Sequence, residues 1–276
     1  MEPAQVRRAV EAAKSTAREL GLPVDDAVVI HNSDRIAVRL VPCDVLARIA
    51  PQAWEDGQQF EADVARRLAE MGSPVGGLEP CAEPRVYVRD AFALTLWTYY
   101  EQVGEVAPVD YADTLVRVHA DLRQLDLAAP HITERVAAWV EEVNDPEGTP
   151  ELPGPDRELL SITFSRVRNA VDKWDTGDQL LHGEPHPGNL LSTRRGPLFI
   201  DLHTCQRGPV EYDLAYVPEA VAAHYPGADQ HLVHQFRVLM WAGITTMRWN
   251  PEDQFPDRDY WRLEGLNQLR AALARA

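Results

Sequence analysis

The chain has 276 residues, of which 45% are hydrophobic and 25% are charged. These fractions are typical of a soluble globular protein and exclude a disordered, collagen-like or coiled-coil chain, while the length suggests about two domains. Twenty-seven basic residues against 43 acidic ones leave a net charge of −16, which argues against a nucleic-acid partner, because an acidic surface repels phosphate backbones. The same acidity would suit a cationic substrate, although it is also typical of a well-solvated surface.

Three cysteines, Cys43, Cys81 and Cys205, form no closely spaced pair. An odd number without a pairing pattern predicts a reducing compartment rather than a disulfide framework. The first twenty residues are polar and amphipathic, without the apolar run of a signal peptide, and no stretch of eighteen apolar residues predicts a membrane span. We therefore expect a cytoplasmic protein with no membrane partner.

The first hundred residues have the pattern of a small sheet with two helices. Apolar residues at helical spacing predict a helix that ends near Gly21, and a second helix follows over 58–71. Short β-branched runs predict five strands, the first three as an antiparallel meander, over 27–30, 35–41, 45–49, 85–88 and 93–97.

Beyond a connector near 97–104 the pattern becomes mainly helical. Helices are predicted over 109–123, 131–143, 155–173, 211–224, 228–245 and 258–275. A short hairpin formed by 190–191 and 198–200 interrupts them. The sequence therefore predicts a sheet-rich domain, 1–98, and a larger helical domain, 99–276.

The most informative stretch runs from His182 to Asn189 and reads HGEPHPGN. Its two prolines and two glycines exclude a helix and predict a rigid loop that carries four polar side chains. Twelve residues after Asn189, an apolar strand ends at Asp201. Together with Glu184, these residues offer hard oxygen donors, which suit Mg²⁺ better than zinc.

The sequence HGEPHPGN, followed by LFIDLHTCQRGPVEYDLA, resembles the motif of aminoglycoside phosphotransferase-like kinases, a branch of the protein-kinase-like fold. The family form is HGDxHxxN, then ID and a GPxxxDLA-like segment, and the match covers 178–216. The resemblance implies an α+β, two-lobed protein-kinase-like fold, with a small antiparallel-sheet N-lobe that clamps a nucleotide against a larger, mainly helical C-lobe. It also implies transfer of the γ-phosphoryl group of ATP or GTP to a hydroxyl of a small molecule, with Mg²⁺.

The same resemblance assigns roles around the motif. Asn189 and Asp201 take the positions of the Mg²⁺ ligands, and Glu184 takes that of the residue that orients the acceptor hydroxyl and accepts its proton. The family usually has Asp there. One added methylene moves a carboxylate by about 1 Å, which can cost about a hundredfold in rate. A second departure is His203, where the family often has an aromatic residue.

A weaker resemblance covers the first domain. The segment FEADVARRLAEMGSPV resembles the family's first-lobe helix, which implies that Glu61 pairs with a basic strand residue. That residue is normally lysine, and Arg48 takes its place; arginine stays charged and can bind phosphate through two N–H groups. The segment 31–34 takes the position of a phosphate-covering loop but has no glycine, and Ser33 is its candidate phosphate contact.

Other residues are interpreted as structural support. His182 and His186 are four apart, as in a zinc-binding HExxH helix, but the glycine and prolines around them exclude that helix. The resemblance implies that His182 supports the loop and that His186 is structural or near the phosphates. Asp213 has the pattern of a helix N-cap, and the resemblance adds a bond to the loop backbone. His119, on an apolar helix face, is interpreted as a buried core histidine.

The nucleotide base and the acceptor are less well defined. Trp97 and Tyr99 fall in the hinge that the resemblance assigns to adenine. Acidic and aromatic residues near the C-terminus are candidates for an acceptor pocket that would suit an amine-bearing compound: Glu219, Tyr225, Asp229, Trp241, Trp249, Glu252, Asp253 and Trp261.

The predicted function is therefore phosphoryl transfer to a small molecule, with an aminoglycoside or another amine-bearing compound as a candidate acceptor and antibiotic resistance as a candidate role. Three alternatives stay open. They are a kinase for an ordinary metabolite, a kinase-like protein that binds nucleotide or a partner without turnover because of Glu184, and a metal-dependent hydrolase that uses His182, Glu184 and His186. We expect a monomer or a homodimer.

Overall fold

The computed structural model describes residues 1–33, 35–171, 177–253, 255 and 257–275. The chain forms two compact units: the first comprises Met1–Ala107 and Gly188–Thr204, and the second comprises Pro108–Pro187 and Cys205–Ala276. This division differs from the predicted boundary at 98/99. The first unit continues for nine more residues, to Ala107, and also includes Gly188–Thr204 from later in the chain.

The first unit contains the two helices and the five-stranded antiparallel sheet predicted from the sequence. The helices are α1 (Pro3–Glu19) and α2 (Glu55–Glu70). The strands lie in the order β1-β2-β3-β5-β4, with bounds β1 (Val24–Asn32), β2 (Ile36–Pro42), β3 (Val45–Pro51), β4 (Tyr87–Arg89) and β5 (Phe92–Thr98).

Alternation along β3 separates the two faces of the sheet. Val45, Ala47 and Ile49 are buried in the core that α1 shares, and the buried alanines of α1 allow it to pack closely. Side chains alternate along a strand, so Leu46 and Arg48 lie on the opposite face. This alternation places a charged residue on the face where α2 carries Glu61.

The second unit is mainly helical. Its helices are α3 (Pro108–Leu122), α4 (Ile132–Asn144), α5 (Gly154–Val171), α6 (Val210–Leu214), α7 (Glu219–Ala222), α8 (Gln230–Met247) and α9 (Arg258–Leu273). Two short strands, β6 (Gln179–Leu181) and β9 (Gln206–Gly208), pair antiparallel. The last two residues of the predicted helix 155–173 lie outside the described residues. None of the described helices is long and apolar enough to cross a membrane.

The continuous helix predicted over 211–224 is wrong. The structure has two short helices there, because α6 ends at Leu214 and α7 begins at Glu219. Pro218 stands immediately before α7, and proline disfavours a helical conformation in the residue that precedes it. Because α6 begins at Val210, with Pro209 at its N-cap position, Asp213 lies inside α6 and is not the N-cap predicted for it.

The predicted hairpin is confirmed, with β7 (Leu190–Thr193) paired to β8 (Gly196–Phe199). Its contacts place it in the first unit. The N–H of Phe199 donates to the carbonyl of Pro74 (2.9 Å), and the N–H of Gly76 donates to the carbonyl of Phe199 (2.8 Å). The N–H of Val103 also donates to the carbonyl of Ser192 (2.8 Å). Because backbone groups must be paired, these bonds fix the hairpin to residues far away in sequence.

One glycine determines how α4 packs in the second unit. Trp139 of α4 is buried in a core with Phe164, Tyr212 and Phe236. A Cβ atom at Gly243 of α8 would lie 2.6 Å from the Trp139 ring, too close for any side chain. Glycine at this position therefore lets α4 approach α8 closely.

Candidate active site

Arg48 of β3 bridges two carboxylates in the first unit. Its Nη1 donates to Oε1 of Glu61 on α2, and its Nη2 donates to Oδ1 of Asp201, which follows β8. The predicted ion pair between Arg48 and Glu61 is confirmed, and Asp201 joins it. Glu61 is only 1% exposed, so removing either partner would leave a buried charge with fewer counter-charges.

A second arginine, not found by sequence reasoning, lies in the same place. Nη1 of Arg35 is 3.3 Å from Oε2 of Glu61 and 3.9 Å from Oδ1 of Asp201. The strand register could have revealed it: Ala37 pairs with Arg48, and Arg35, two residues earlier, shares the face of Ala37. We call Arg35, Arg48, Glu61 and Asp201 the arginine–carboxylate cluster.

Glu61 also fixes the turn that follows β8. Its Oε1 accepts a hydrogen bond from the N–H of Leu202 (3.1 Å). In this turn Asp201 has a φ of 68°, a left-handed conformation that aspartate adopts more readily than most other non-glycine residues. Asp201 is thus held by its own side chain and by the backbone of its neighbour.

The charges in the cluster stabilise one another. Burial alone would raise the pKa of the Asp201 carboxyl, but Arg48 and a contact with His203 (Nδ1 to Oδ1, 2.6 Å) hold this pKa well below its usual range. Burial would also lower the pKa of Arg48, whereas Glu61 and Asp201 raise it above its ordinary value. Asp201 therefore stays an anion at neutral pH, as a metal ligand must.

The hairpin brings Asn189 next to Asp201. The N–H of Ile200 donates to the carbonyl of Asn189 (2.9 Å), which continues the ladder that begins with the pair Leu190 and Phe199. Asn189 is 7% exposed. Two residues twelve positions apart in sequence are therefore neighbours at one end of a two-stranded ladder.

The donor set at this end of the hairpin fits Mg²⁺. Ligand atoms of Glu61, Asp201 and His203 lie within 4.8 Å of one another, and Asn189 lies at the same end of the hairpin, where its backbone carbonyl accepts from the N–H of Ile200. Carboxylate and amide oxygens are hard donors that Mg²⁺ prefers, and the two arginines of the cluster fit phosphate. In the part of the chain that the structure describes, His182, Glu184 and His186 form no comparable group.

The other residues predicted to contact nucleotide are less closely placed. Trp97 is 7% exposed, donates from Nε1 to Oγ1 of Thr95 (2.8 Å), and its ring lies 5.9 Å from the Arg48 guanidinium. Tyr99 packs under Arg39, 4.2 Å from guanidinium carbon to ring centroid. Trp97 therefore packs against the cluster, and stacking of adenine on either ring stays a prediction.

Ser33 belongs to the turn between β1 and β2. Its N–H donates to the carbonyl of Arg35 (3.0 Å), and its own carbonyl accepts from the amino group of Met1 (3.1 Å). Asp34, the last residue of the predicted phosphate-covering segment, lies outside the described residues. A phosphate contact of Ser33 stays a prediction.

In the second unit, Asp213 holds the backbone of the 182–187 loop. Its Oδ2 accepts from the N–H of His182 (2.8 Å) and its Oδ1 from the N–H of Gly183 (2.9 Å). Nε2 of His119 lies 2.9 Å from Oδ2, and Nδ1 of His119 lies 2.8 Å from the Tyr225 hydroxyl. The prediction of His119 as a buried core histidine is confirmed, since it is 1% exposed and hydrogen-bonded.

The loop is also braced from within. Nδ1 of His182 accepts from the N–H of Glu184 (3.4 Å), and the N–H of His186 donates to the carbonyl of Glu184 (2.8 Å). The hydroxyl of Tyr111 on α3 donates to the carbonyl of Pro185. His182 is fully buried, which fits the supporting role predicted for it.

Glu184 has a partner that no motif indicated. Nη2 of Arg135, in the first turn of α4, donates to Oε1 of Glu184. Both side chains are about one quarter exposed, at 24% and 25%. They lie 49 positions apart in sequence, and nothing in the intervening segment signals this pairing.

A cavity of about 270 Å³ opens in the second unit near the end of the loop. Its lining includes Pro187, Tyr216, Glu219, Arg237, Trp241 and Arg275. Two of the predicted pocket residues, Glu219 and Trp241, are therefore in it. Others have structural partners instead, since Asp229 caps α8 and Asp253 pairs with Arg248.

Fold and site together define a kinase-like phosphotransferase, and the comparisons with known proteins agree. The sequence profile of the Phosphotransferase enzyme family matches residues 27–272, so the chain belongs to this family. None of the curated protein sequences gives a significant match.

Several solved structures are similar over nearly the whole chain. Amicoumacin kinase hAmiN, in complex with AMP-PNP, Ca²⁺ and Ami, has a TM-score of 0.72 and 12% identity over 98% of this chain and 96% of its own. Choline kinase LicA from Streptococcus pneumoniae has a TM-score of 0.72 and 13% identity, covering 96% and 99%. The GDP and kanamycin complex of an aminoglycoside phosphotransferase, APH(2")-IIIa, has a TM-score of 0.70 and 15% identity, covering 96% and 98%. The predicted α+β protein-kinase-like fold, with a small antiparallel sheet and a larger helical part, is confirmed.

Proposed function

We propose that this protein transfers the γ-phosphoryl group of ATP or GTP to a hydroxyl group of a small molecule, with Mg²⁺. The observation that carries the proposal is the arginine–carboxylate cluster, which combines cations for phosphate with an anion for the metal beside Asn189. A cluster that served stability alone would not need Asn189 and Asp201 at the family's metal positions.

In the first unit, Asn189 and Asp201 would hold Mg²⁺, and Arg48 would bind phosphate oxygens. When bound, Mg²⁺ neutralises charge on the phosphate oxygens and polarises the γ-phosphoryl group. Glu61 keeps Arg48 extended toward this site through a contact shielded from water. Ser33, Trp97 and Tyr99 complete the proposed nucleotide contacts, and His186 stays a structural residue of the loop.

In the second unit, Glu184 would receive the acceptor. The acceptor oxygen attacks the γ-phosphorus, the bond from that phosphorus to the β–γ bridging oxygen breaks, and its electron pair leaves with the nucleoside diphosphate. The hydroxyl proton passes to the Glu184 carboxylate. Because the transition state of such transfers is loose, the position of Glu184 matters more than its basicity.

The charges of the cavity bear on the acceptor. Among the described residues that line it, the carboxylate is that of Glu219, which lies 3.3 Å from Nη1 of Arg237 and 3.1 Å from Nη1 of Arg275. This lining does not concentrate negative charge, so it favours a neutral or singly charged acceptor over a polycationic aminoglycoside. An aminoglycoside acceptor and a role in antibiotic resistance are the less favoured form of the proposal.

The cellular setting is also part of the proposal. We expect the protein in the cytoplasm, as a monomer or homodimer, because its three cysteines are free in the structure and its cosubstrate is a nucleoside triphosphate.

The test is release of ADP or GDP with Mg²⁺ and a panel of hydroxyl acceptors, for the wild type and for Asp201→Asn. We expect this variant to lose turnover by about a thousandfold, because it removes the charge that binds the metal. Asp44→Asn is the matched control, since Asp44 is an exposed carboxylate that pairs with Arg39 on the same sheet. An unchanged rate in Asp201→Asn would overturn the assignment.

A further inference from the structure

Glu184 departs from its family at the position where the proposed chemistry is most sensitive to distance, and α4 supplies an arginine to its carboxylate. Arg135 donates from Nη2 to Oε1 of Glu184. Each side chain is about three quarters buried, so the contact is only partly screened by water.

Arg135 is itself held in place by its surroundings. Trp139, one turn further along α4, is 3% exposed, and its ring centroid lies 5.3 Å from the guanidinium carbon of Arg135. Gly243 allows Trp139 to pack tightly against α8. The guanidinium of Arg135 therefore packs against a buried core residue, Trp139.

The electrostatic setting keeps Arg135 charged. Burial would lower its pKa, but Tyr216, Tyr212 and Glu184 raise it above its ordinary value. The two tyrosines are hydrogen-bonded to each other through their hydroxyls (3.0 Å), and Tyr216 also lines the cavity. The ion pair thus adjoins a tyrosine that reaches the proposed acceptor cavity.

The backbone beneath Glu184 cannot easily shift to absorb a longer side chain. Asp213 holds the N–H groups of His182 and Gly183, and Tyr111 holds the carbonyl of Pro185. With the loop anchored on both sides, the extra methylene must be accommodated by the side chain alone. A flexible glutamate then needs a fixed partner to hold its carboxylate in one position.

We infer that Arg135 is a positioning residue that holds the Glu184 carboxylate where an aspartate stands in relatives, so that the two residues work as a matched pair. The inference rests on the proposed function, because it assumes that Glu184 orients the attacking oxygen. An aspartate at 184 would be shorter by about 1 Å and would lose the contact with Arg135.

The test measures Mg²⁺-dependent hydrolysis of ATP and GTP, with water as acceptor, so that it needs no knowledge of the natural one. Arg135→Met should lower kcat by about ten- to a hundredfold. The KM for nucleotide should not change, because the residues proposed to bind nucleotide lie in the other unit. Arg135→Lys keeps the charge without the planar fork and should recover part of the rate.

A double-mutant cycle separates positioning from general damage. Glu184→Asp should slow the wild type strongly but should slow Arg135→Met much less, because the pair is already broken there. Arg117→Met, at an exposed arginine of α3, is the control and should keep the wild-type rate. Unfolding by urea, followed in all variants, shows whether each one is folded.

The outcomes distinguish a positioning role of Arg135 from a purely structural role and from failure of the proposed function. Equal effects of Glu184→Asp in both backgrounds, or a loss in Arg135→Met that appears in KM rather than kcat, would overturn the inference. If the wild type shows no turnover either with water or with the panel of hydroxyl acceptors, the proposed function fails, and coupling of the two residues in unfolding alone would make Arg135 a structural brace. If Arg135→Met turns over like the wild type while Asp201→Asn does not, the proposed function stands and only the positioning role is lost.

Discussion

Two buried carboxylates, Glu61 in the first unit and Asp213 in the second, are held by different means. In the first unit, Glu61 and Asp201 are held by the guanidinium groups of Arg35 and Arg48. In the second unit, Asp213 is held by two backbone N–H groups and by the ring of His119.

The difference suggests different tasks. Guanidinium groups can exchange a carboxylate for a phosphate without leaving an N–H donor unpaired. The carboxylate is planar and the phosphate is tetrahedral, but both are anions whose oxygens accept hydrogen bonds from the same N–H groups. The backbone N–H groups that bind Asp213 lie in a buried site, where Asp213 and His182 are both 0% exposed, so a ligand cannot replace the carboxylate there. We therefore interpret the arginine–carboxylate cluster of the first unit as a ligand-binding group. We call Asp213, its two N–H donors and His119 the Asp213 anchor, and interpret it as a fixed support of the second unit.

The largest effect should follow from removing the fixed support. Asp213→Ala leaves two backbone donors and His119 without their acceptor in a site that is 0% exposed, so the free energy of unfolding should fall by about 4 kcal/mol. Urea unfolding measures it. A loss below about 1 kcal/mol would show that the anchor contributes little and would remove the contrast between the units.

A smaller loss should follow in the first unit from Glu61→Ala. It leaves Arg48 and Arg35 with Asp201 as their remaining carboxylate in the cluster, and breaking such a buried pair costs about 3 kcal/mol. The same denaturation experiment checks this, with Glu70→Ala, which has an exposed carboxylate on the same helix, as control. Equal stability of Glu61→Ala and the control would contradict the buried ion pair.

Nucleotide affinity tests whether the arginine–carboxylate cluster of the first unit binds a ligand. Arg48→Met should weaken binding of ATP or GTP by about tenfold, because it removes one charge-assisted phosphate contact. Arg66→Met is the control, since Arg66 of α2 pairs with the exposed Glu70. Equilibrium titration measures both, and equal affinities would exclude Arg48 from the phosphate site.

The smallest effect is on stability at alkaline pH and concerns Tyr225, whose hydroxyl contacts His119 of the Asp213 anchor. Burial, with a contribution from Asp213, raises the pKa of Tyr225 to about 12. An unfolded tyrosine ionises near pH 10, so the unfolded state gains stability first as pH rises, and the folded state loses up to about 1.4 kcal/mol by pH 11 through this group.

Tyr225→Phe should therefore show a shallower fall in stability between pH 10 and pH 12 than the wild type, although it is less stable at neutral pH because His119 loses a partner. Unfolding as a function of pH measures the slope, and Tyr260→Phe, at an exposed tyrosine, provides the comparison. Identical slopes for the wild type and Tyr225→Phe would show that Tyr225 is not shielded as the structure indicates.

The sequence could predict the parts of the fold that depend on local patterns. Alternation and helical spacing located the five-stranded sheet, and the motif located Asn189, Asp201 and the pairing of Glu61 with Arg48. Apolar spacing predicted one helix over 211–224, although Pro218 within that range was a signal that the helix is interrupted.

Contacts between distant elements were beyond the same reasoning. Arg135 reaches Glu184 from α4, and Trp139 of the same helix packs against Gly243, and neither contact has a sequence signature. The hairpin joins the first unit through backbone bonds to Pro74, which side-chain identity does not encode. Partners of this kind depend on tertiary packing, which overrides local propensity.

The central claim is that the first unit binds a nucleoside triphosphate together with Mg²⁺ through Asn189 and Asp201. Calorimetric titration with ATP and with GTP, each with Mg²⁺ and with a chelator, tests it in the wild type and in Asp201→Asn. The account predicts that one nucleotide binds the wild type more tightly with Mg²⁺ and that Asp201→Asn loses this difference. Binding that is equally tight with the chelator, or no binding at millimolar nucleotide, would contradict it.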